Sequence, residues 1–138
     1  MLPVPHDNAE SVWHLVEPLI RKAVDVHPGY EMDDVLEAIL HRDMQLWISV
    51  TDRNEILVAW VTQILVFPRM KTLQILFMGG RQLRRCAHHM NKLQEYALSV
   101  GCSEMGAISR RGLVKWFPAE DSGMIYMTRD LSEEKEHG

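Results

Sequence analysis

Residues 73–90 read LQILFMGGRQLRRCAHHM. An apolar run, Leu73 to Met78, ends in the pair Gly79-Gly80, and a basic segment of helix-compatible composition follows. Glycine lets a backbone turn sharply or approach another group closely. The stretch therefore reads as a strand handing over to a helix, and two readings of the handover stand side by side. In the first, Gly79-Gly80 only turns the chain, and Arg81, Arg84 and Arg85 form a solvated helix face. In the second, N–H groups at the helix start hold a phosphate, aided by the helix dipole and those arginines.

Upstream, the apolar spacing changes period. Val12, Leu15, Val16, Leu19, Ile20 and Ala23 recur at helical intervals after Asp7-Asn8-Ala9-Glu10, a capping-box pattern. Pro18 lies within that run and predicts a kink or a split. Pro28-Gly29 ends it, and a second helix is expected over about Asp33–His41. Leu46, Ile48 and Val50 then alternate with Gln45, Trp47 and Ser49, the signature of a strand. Polar turns at 51–55 and 68–71 separate two more strands, Ile56–Phe67 and Thr72–Met78. The three strands form an antiparallel meander.

Downstream, a helix is expected from about Arg81 to Ser99, with Gly101 closing it. Met105–Ser109 reads as a strand, Leu113–Phe117 as a helical turn and Gly123–Thr128 as a last strand. The order is α-α-β-β-β-α-β-α-β, a mixed α/β sheet with helices on both faces. Its third and fourth strands flank the long helix and should pair in parallel.

The 138 residues suit one domain, 1–131, with a polar tail at 132–138. A net charge of −4 argues against general nucleic-acid binding. Cys86 and Cys102 are the only cysteines and make no disulfide framework. No signal peptide is read at the start, and the apolar stretch 56–67 is too short to span a bilayer, so a cytoplasmic setting is expected. Cys86-x-His88-His89 offers too few ligands for a metal site, so none is expected. Trp13, Trp47, Trp60 and Trp116 suit a sheet covered on both faces, with an aromatic subunit contact, and hence a homo-oligomer, as the sharper alternative. Arg110, Arg111 and Lys115 form a second basic cluster, read first as a solvated face.

The order of elements resembles the GNAT fold of acetyl-CoA-dependent N-acetyltransferases, over nearly the whole chain. The N-terminal helix pair, the meander and the Met78-Gly79-Gly80-Arg81 crossing carry the resemblance. Within that fold, Ala97-Leu98-Ser99-Val100-Gly101-Cys102 and Ser109-Arg110-Arg111-Gly112-Leu113-Val114-Lys115 look like the endings of small GNAT-like proteins of tailed phages. The resemblance implies acetyl-CoA as cofactor, with its pyrophosphate at Gly79, Gly80, Arg81, Gln82, Arg84 and Arg85. This segment departs from the family's Q/R-x-x-G-x-G/A signature, because its glycines come early and adjacent. The family also implies a glutamate base near the third or fourth strand and a tyrosine acid near the end. Thr72–Met78 holds no carboxylate, Glu55 and Glu104 lie beside strands, and Tyr126 is the nearest phenol. The phage resemblance therefore implies a non-catalytic protein working through contacts with a phage structural or assembly protein, in the host cytoplasm or the virion. The alternative is an active N-acetyltransferase acting on an amine of a protein or small molecule.

Overall fold

The computed structural model describes residues 1–107 together with Arg129 and Leu131. Their elements are β1 (Leu2–Val4), α1 (Ala9–Asp25), α2 (Met32–Leu40), β2 (Gln45–Val50), β3 (Ile56–Val66), β4 (Lys71–Gly80), α3 (Met90–Ser99) and β5 (Glu104–Ala107). The sheet runs β1-β2-β3-β4-β5 in space. The first four strands pair antiparallel, and β5 pairs with β4 in parallel from Thr72↔Glu104 to Ile75↔Ala107. The expected mixed α/β class, the meander and the parallel crossover through α3 are all present. The expected helical turn at 113–117, the strand at 123–128, the basic cluster at 110–115, Trp116 and Tyr126 lie outside the described residues.

Two cores cover the two faces of the sheet. On one, α1 and α2 bury Trp13, Val16, Ile20, Val35 and Ile39 against Leu46, Ala59, Val61 and Phe77. On the other, α3 and the chain before it bury Cys86, Met90, Leu93 and Ala97 against Trp47, Val58, Trp60, Leu73 and Ile75. The alternation of Leu46 with Trp47 is thus a division between faces. Trp47 lies buried against Tyr96, ring centroids 5.0 Å apart.

The split allowed at Pro18, the capping box at Asp7 and the turn at Gly79-Gly80 are corrected. α1 is continuous through Pro18, which sits on the exposed side where water can take up the carbonyl that proline leaves unpaired. The Asp7 capping box does not form. Residues 6–8 make a separate 3-10 turn, and Ser11 Oγ donates to Asn8 O instead. A capping contact forms at α2, where the Glu31 N–H donates to Asp34 Oδ2 at 2.9 Å. The pair Gly79-Gly80 is the end of β4, opposite Ala59 and Val58, and not a turn.

The helix expected from Arg81 begins at Met90. Arg81 N–H donates to Leu57 O, which holds the chain against the sheet beyond the last strand residue. The chain then coils through single turns, with Cys86 N–H shared between Gln82 O and Leu83 O, and a 3-10 turn at Ala87–His89 leads into α3. β1 was not read from sequence. Three residues, two of them exposed, carry too little periodicity to signal a strand.

Candidate functional site

The decisive local feature of β4 is a bulge. Val61 pairs with Phe77 and Thr62 with Ile75, so Leu76 has no opposite residue on β3. One extra residue reverses the parity of everything after it. Leu73 and Ile75 point to the α3 face, whereas Leu76 and Phe77 both pack on the α1/α2 face. The bulge adjoins Ile75↔Ala107, the last β4–β5 pair among the described residues. A bulge bends the strand that carries it, so β4 bends at Leu76 while staying paired with β3 to Gly80.

Both glycines that follow are committed to packing. A Cβ on Gly79 would lie 2.2 Å from Leu19 O, because α1 crosses the strand there in backbone contact. A Cβ on Gly80 would lie 2.1 Å from Leu57 O, and its φ of +153° favours glycine as well. The next residues carry the charge. Arg81 Nη2 is 3.5 Å from Glu55 Oε1, and Arg85 Nη1 donates to Gln82 Oε1 at 3.1 Å. The N–H groups of Gln82, Leu83 and Arg85 donate to no acceptor among the described residues. Gly79 and Gly80 thus stand in the strand, and Arg81, Gln82, Arg84 and Arg85 in the turn after it. Tyr126 lies outside the described residues.

The turn forms one wall of a cleft of about 310 Å³. Asp52 and Glu55 line it from the β2–β3 connection, and Gln82, Arg85, His88 and His89 from the other side. At its base, Trp60 Nε1–H donates to the buried Ser49 Oγ at 2.9 Å, and Ser49 lies 2.8 Å from His89 Nδ1. A hydroxyl that accepts from the indole has its own hydrogen free for the imidazole. That order leaves neutral His89 with its proton on Nε2. Partial burial lowers the His89 pKa below its ordinary value, with the chain's amino terminus and His88 acting in the same direction. The His88 and His89 rings touch, centroids 4.3 Å apart. Cys86 is buried in the α3 core, and no group of three or more metal-ligating side chains gathers among the described residues.

On the opposite face, the α1–α2 connection brings His27 and Tyr30 to Phe77, the residue just after the bulge. The three rings pack edge to face, His27–Tyr30 at 5.0 Å, Tyr30–Phe77 at 5.6 Å and His27–Phe77 at 5.9 Å. Sequence reasoning missed this group, though His27 and Tyr30 flank the Pro28-Gly29 stop. His27 Nδ1 accepts the Gly29 N–H at 3.0 Å, so the neutral ring presents Nε2–H as a donor. Glu104 opens β5, its Oε1 3.5 Å from Thr72 Oγ1, at the far end of β4 from the bulge.

No family model and no curated protein matches the chain. Solved structures do. A predicted acetyltransferase from Clostridium acetobutylicum, solved with acetyl-CoA, superposes with a TM-score of 0.66 at 14% identity, covering 95% of each chain. A ribosomal-protein-alanine N-acetyltransferase from Brucella melitensis biovar Abortus gives 0.67 at 13% identity over 93% of this chain and 97% of its own. A GNAT family acetyltransferase from Staphylococcus aureus gives 0.56 at 14% identity over 91% and 96%. With two helices and a meander leading to a bulged fourth strand, and a parallel crossover after it, this chain has the GNAT acetyltransferase fold.

Proposed function

We propose that this chain binds an acyl-CoA against the Leu76–Gly80 half of β4 and passes the acyl group to an amine, by positioning more than by acid–base chemistry. The observation that carries the reading is the bulge at Leu76, which bends β4 just before Phe77 and the two glycines. Acyl-CoA supplies the activated thioester. The donor set after β4 suits its phosphates: three arginines and three N–H groups within five residues. Gly79 and Gly80 do not add a cradle, since backbone oxygens already fill the space their side chains would take.

The His27, Tyr30 and Phe77 cluster lies beside the bulge and offers one wall for an acceptor. His27 acts there as an Nε2–H donor, because Gly29 occupies its other nitrogen. β4 carries no carboxylate, so the amine must arrive neutral or lose its proton to water. Tyr126 is the proposed acid for the leaving thiolate. Holding the reactants together is itself a large rate factor.

A second reading is a non-catalytic protein that works through contacts with other proteins in phage virion assembly. The missing carboxylate and the two glycines consumed by packing favour it. Calorimetry with acetyl-CoA separates the two. Micromolar binding is expected, weakened at least ten-fold in the triple variant Arg81→Gln, Arg84→Gln, Arg85→Gln. No heat at millimolar acetyl-CoA sinks the acyl-CoA reading. Absence of the protein from both virions and assembly intermediates removes the second.

A further inference from the structure

A second cleft, of about 470 Å³, opens where α2 ends and β2 begins. Tyr30, Arg42, Asp43, Gln45, Gln63 and Ile64 line it. Three independent features give it a chemistry.

The first is Arg42. It follows the cap of α2 at φ +66°, with its N–H on Ile39 O and the Asp43 N–H on Ala38 O. That is a Schellman turn, whose left-handed position is normally glycine. An arginine there is strained, and strain of this kind collects at functional positions. Its Nε donates to His6 Nε2 at 3.0 Å. His6 Nε2 in turn lies 3.0 Å from Asp7 Oδ1, but the Nη groups of Arg42 and the Asp43 carboxylate make no hydrogen bond or ion pair among the described residues.

The second is Gln45, whose orientation is dictated from below. Trp47 Nε1–H donates to Thr62 Oγ1 at 3.0 Å, and the Thr62 hydroxyl donates to Gln45 Oε1 at 2.9 Å. Thr62 is fully buried and has one hydrogen to give, so the amide oxygen of Gln45 is fixed inward. The NH2 end is left as a donor.

The third is the edge of β3. β2 begins at Gln45, opposite Thr62, but β3 runs on to Val66. Residues 63–66 pair with β4 on one side and with no strand among the described residues on the other. An open strand edge beside a pocket is the arrangement by which extended peptides are added to a sheet.

We infer that this cleft binds a short peptide with both termini free. The main chain adds to the β3 edge at residues 63–66, the carboxylate meets Arg42 and the Gln45 amide, and the ammonium meets Asp43. The inference stands whether or not an acyl group is transferred, and it needs no acyl-CoA.

Trialanine, titrated by calorimetry without acetyl-CoA, is the probe, with N-acetyl-trialanine amide as the uncharged control. Trialanine binds, and the control binds at least ten-fold more weakly. Arg42→Gly supplies the residue the Schellman turn prefers. Its Tm is at or above that of the parent while its trialanine affinity falls at least ten-fold. Asp43→Asn gives a similar loss with its backbone contacts intact. No binding of trialanine at millimolar concentration, equal binding of the control, or full affinity in Arg42→Gly overturns the inference.

Discussion

Gly79 is the residue at which α1 and β4 meet with no side chain between them. α1 lies on β4 with the Leu19 carbonyl where a side chain would be. Gly79→Ala forces α1 away from the sheet and should cost about 3 kcal/mol, read as a lower urea midpoint. A valine at Gly80 meets the same obstruction at Leu57 O, so loss of a ligand in that variant would not distinguish binding from folding. Ser49→Ala removes the acceptor of the buried Trp60 indole N–H, at about 1–3 kcal/mol in the same measurement. His89 adds a pH dependence. The folded chain favours its neutral form, so the unfolded chain binds more protons just below the ordinary value of 6.5. The stability from this group is complete above 6.5 and is lost as pH falls through the lowered folded value. Urea midpoints across pH 5–8 should show that slope, and His89→Gln should flatten it.

At the scale of elements, β4 teaches more than the helices. Deleting Leu76 restores unbroken pairing with β3 and leaves Phe77 opposite Val61 and Gly79 opposite Ala59, so both keep the face that α1 covers. α1 keeps its close contact at Gly79, so the variant should retain a cooperative thermal transition, while the bend on which the acyl-CoA reading rests is gone and acetyl-CoA affinity should fall at least ten-fold by calorimetry. The bulge was legible in principle. Strict alternation holds for Leu73, Gln74 and Ile75, and the apolar run Ile75-Leu76-Phe77-Met78 breaks it. β2, β3, β4, α1, α2 and the crossover were read correctly because each has its period over enough residues. The start of α3 was misread because composition does not report a backbone bond from Arg81 to a distant carbonyl. The cluster of His27 and Tyr30 on Phe77 was invisible for the same reason: it joins residues far apart in sequence. The arginines after β4 were singled out from the sequence by their charge, whereas the packing duty of the glycines before them needed the position of α1.

At the scale of the whole molecule, the described residues form one sheet between two unlike cores. The two thiols both lie on the α3 side, Cys86 at 3% and Cys102 at 5% exposure. Neither should react with a thiol reagent until α3 lifts from the sheet, so labelling rate should follow unfolding across a urea series. β3 lies between β2 and β4 and carries Val58, Ala59, Trp60, Val61 and Thr62, all fully buried. Its middle touches both cores at once, and no partial opening of either face uncovers both sides of that segment. In deuterated solvent the amides of residues 58–62 should be the last to trade their hydrogens. Their exchange marks time by the opening of the entire chain, while residues 81–86 run on a faster clock of their own.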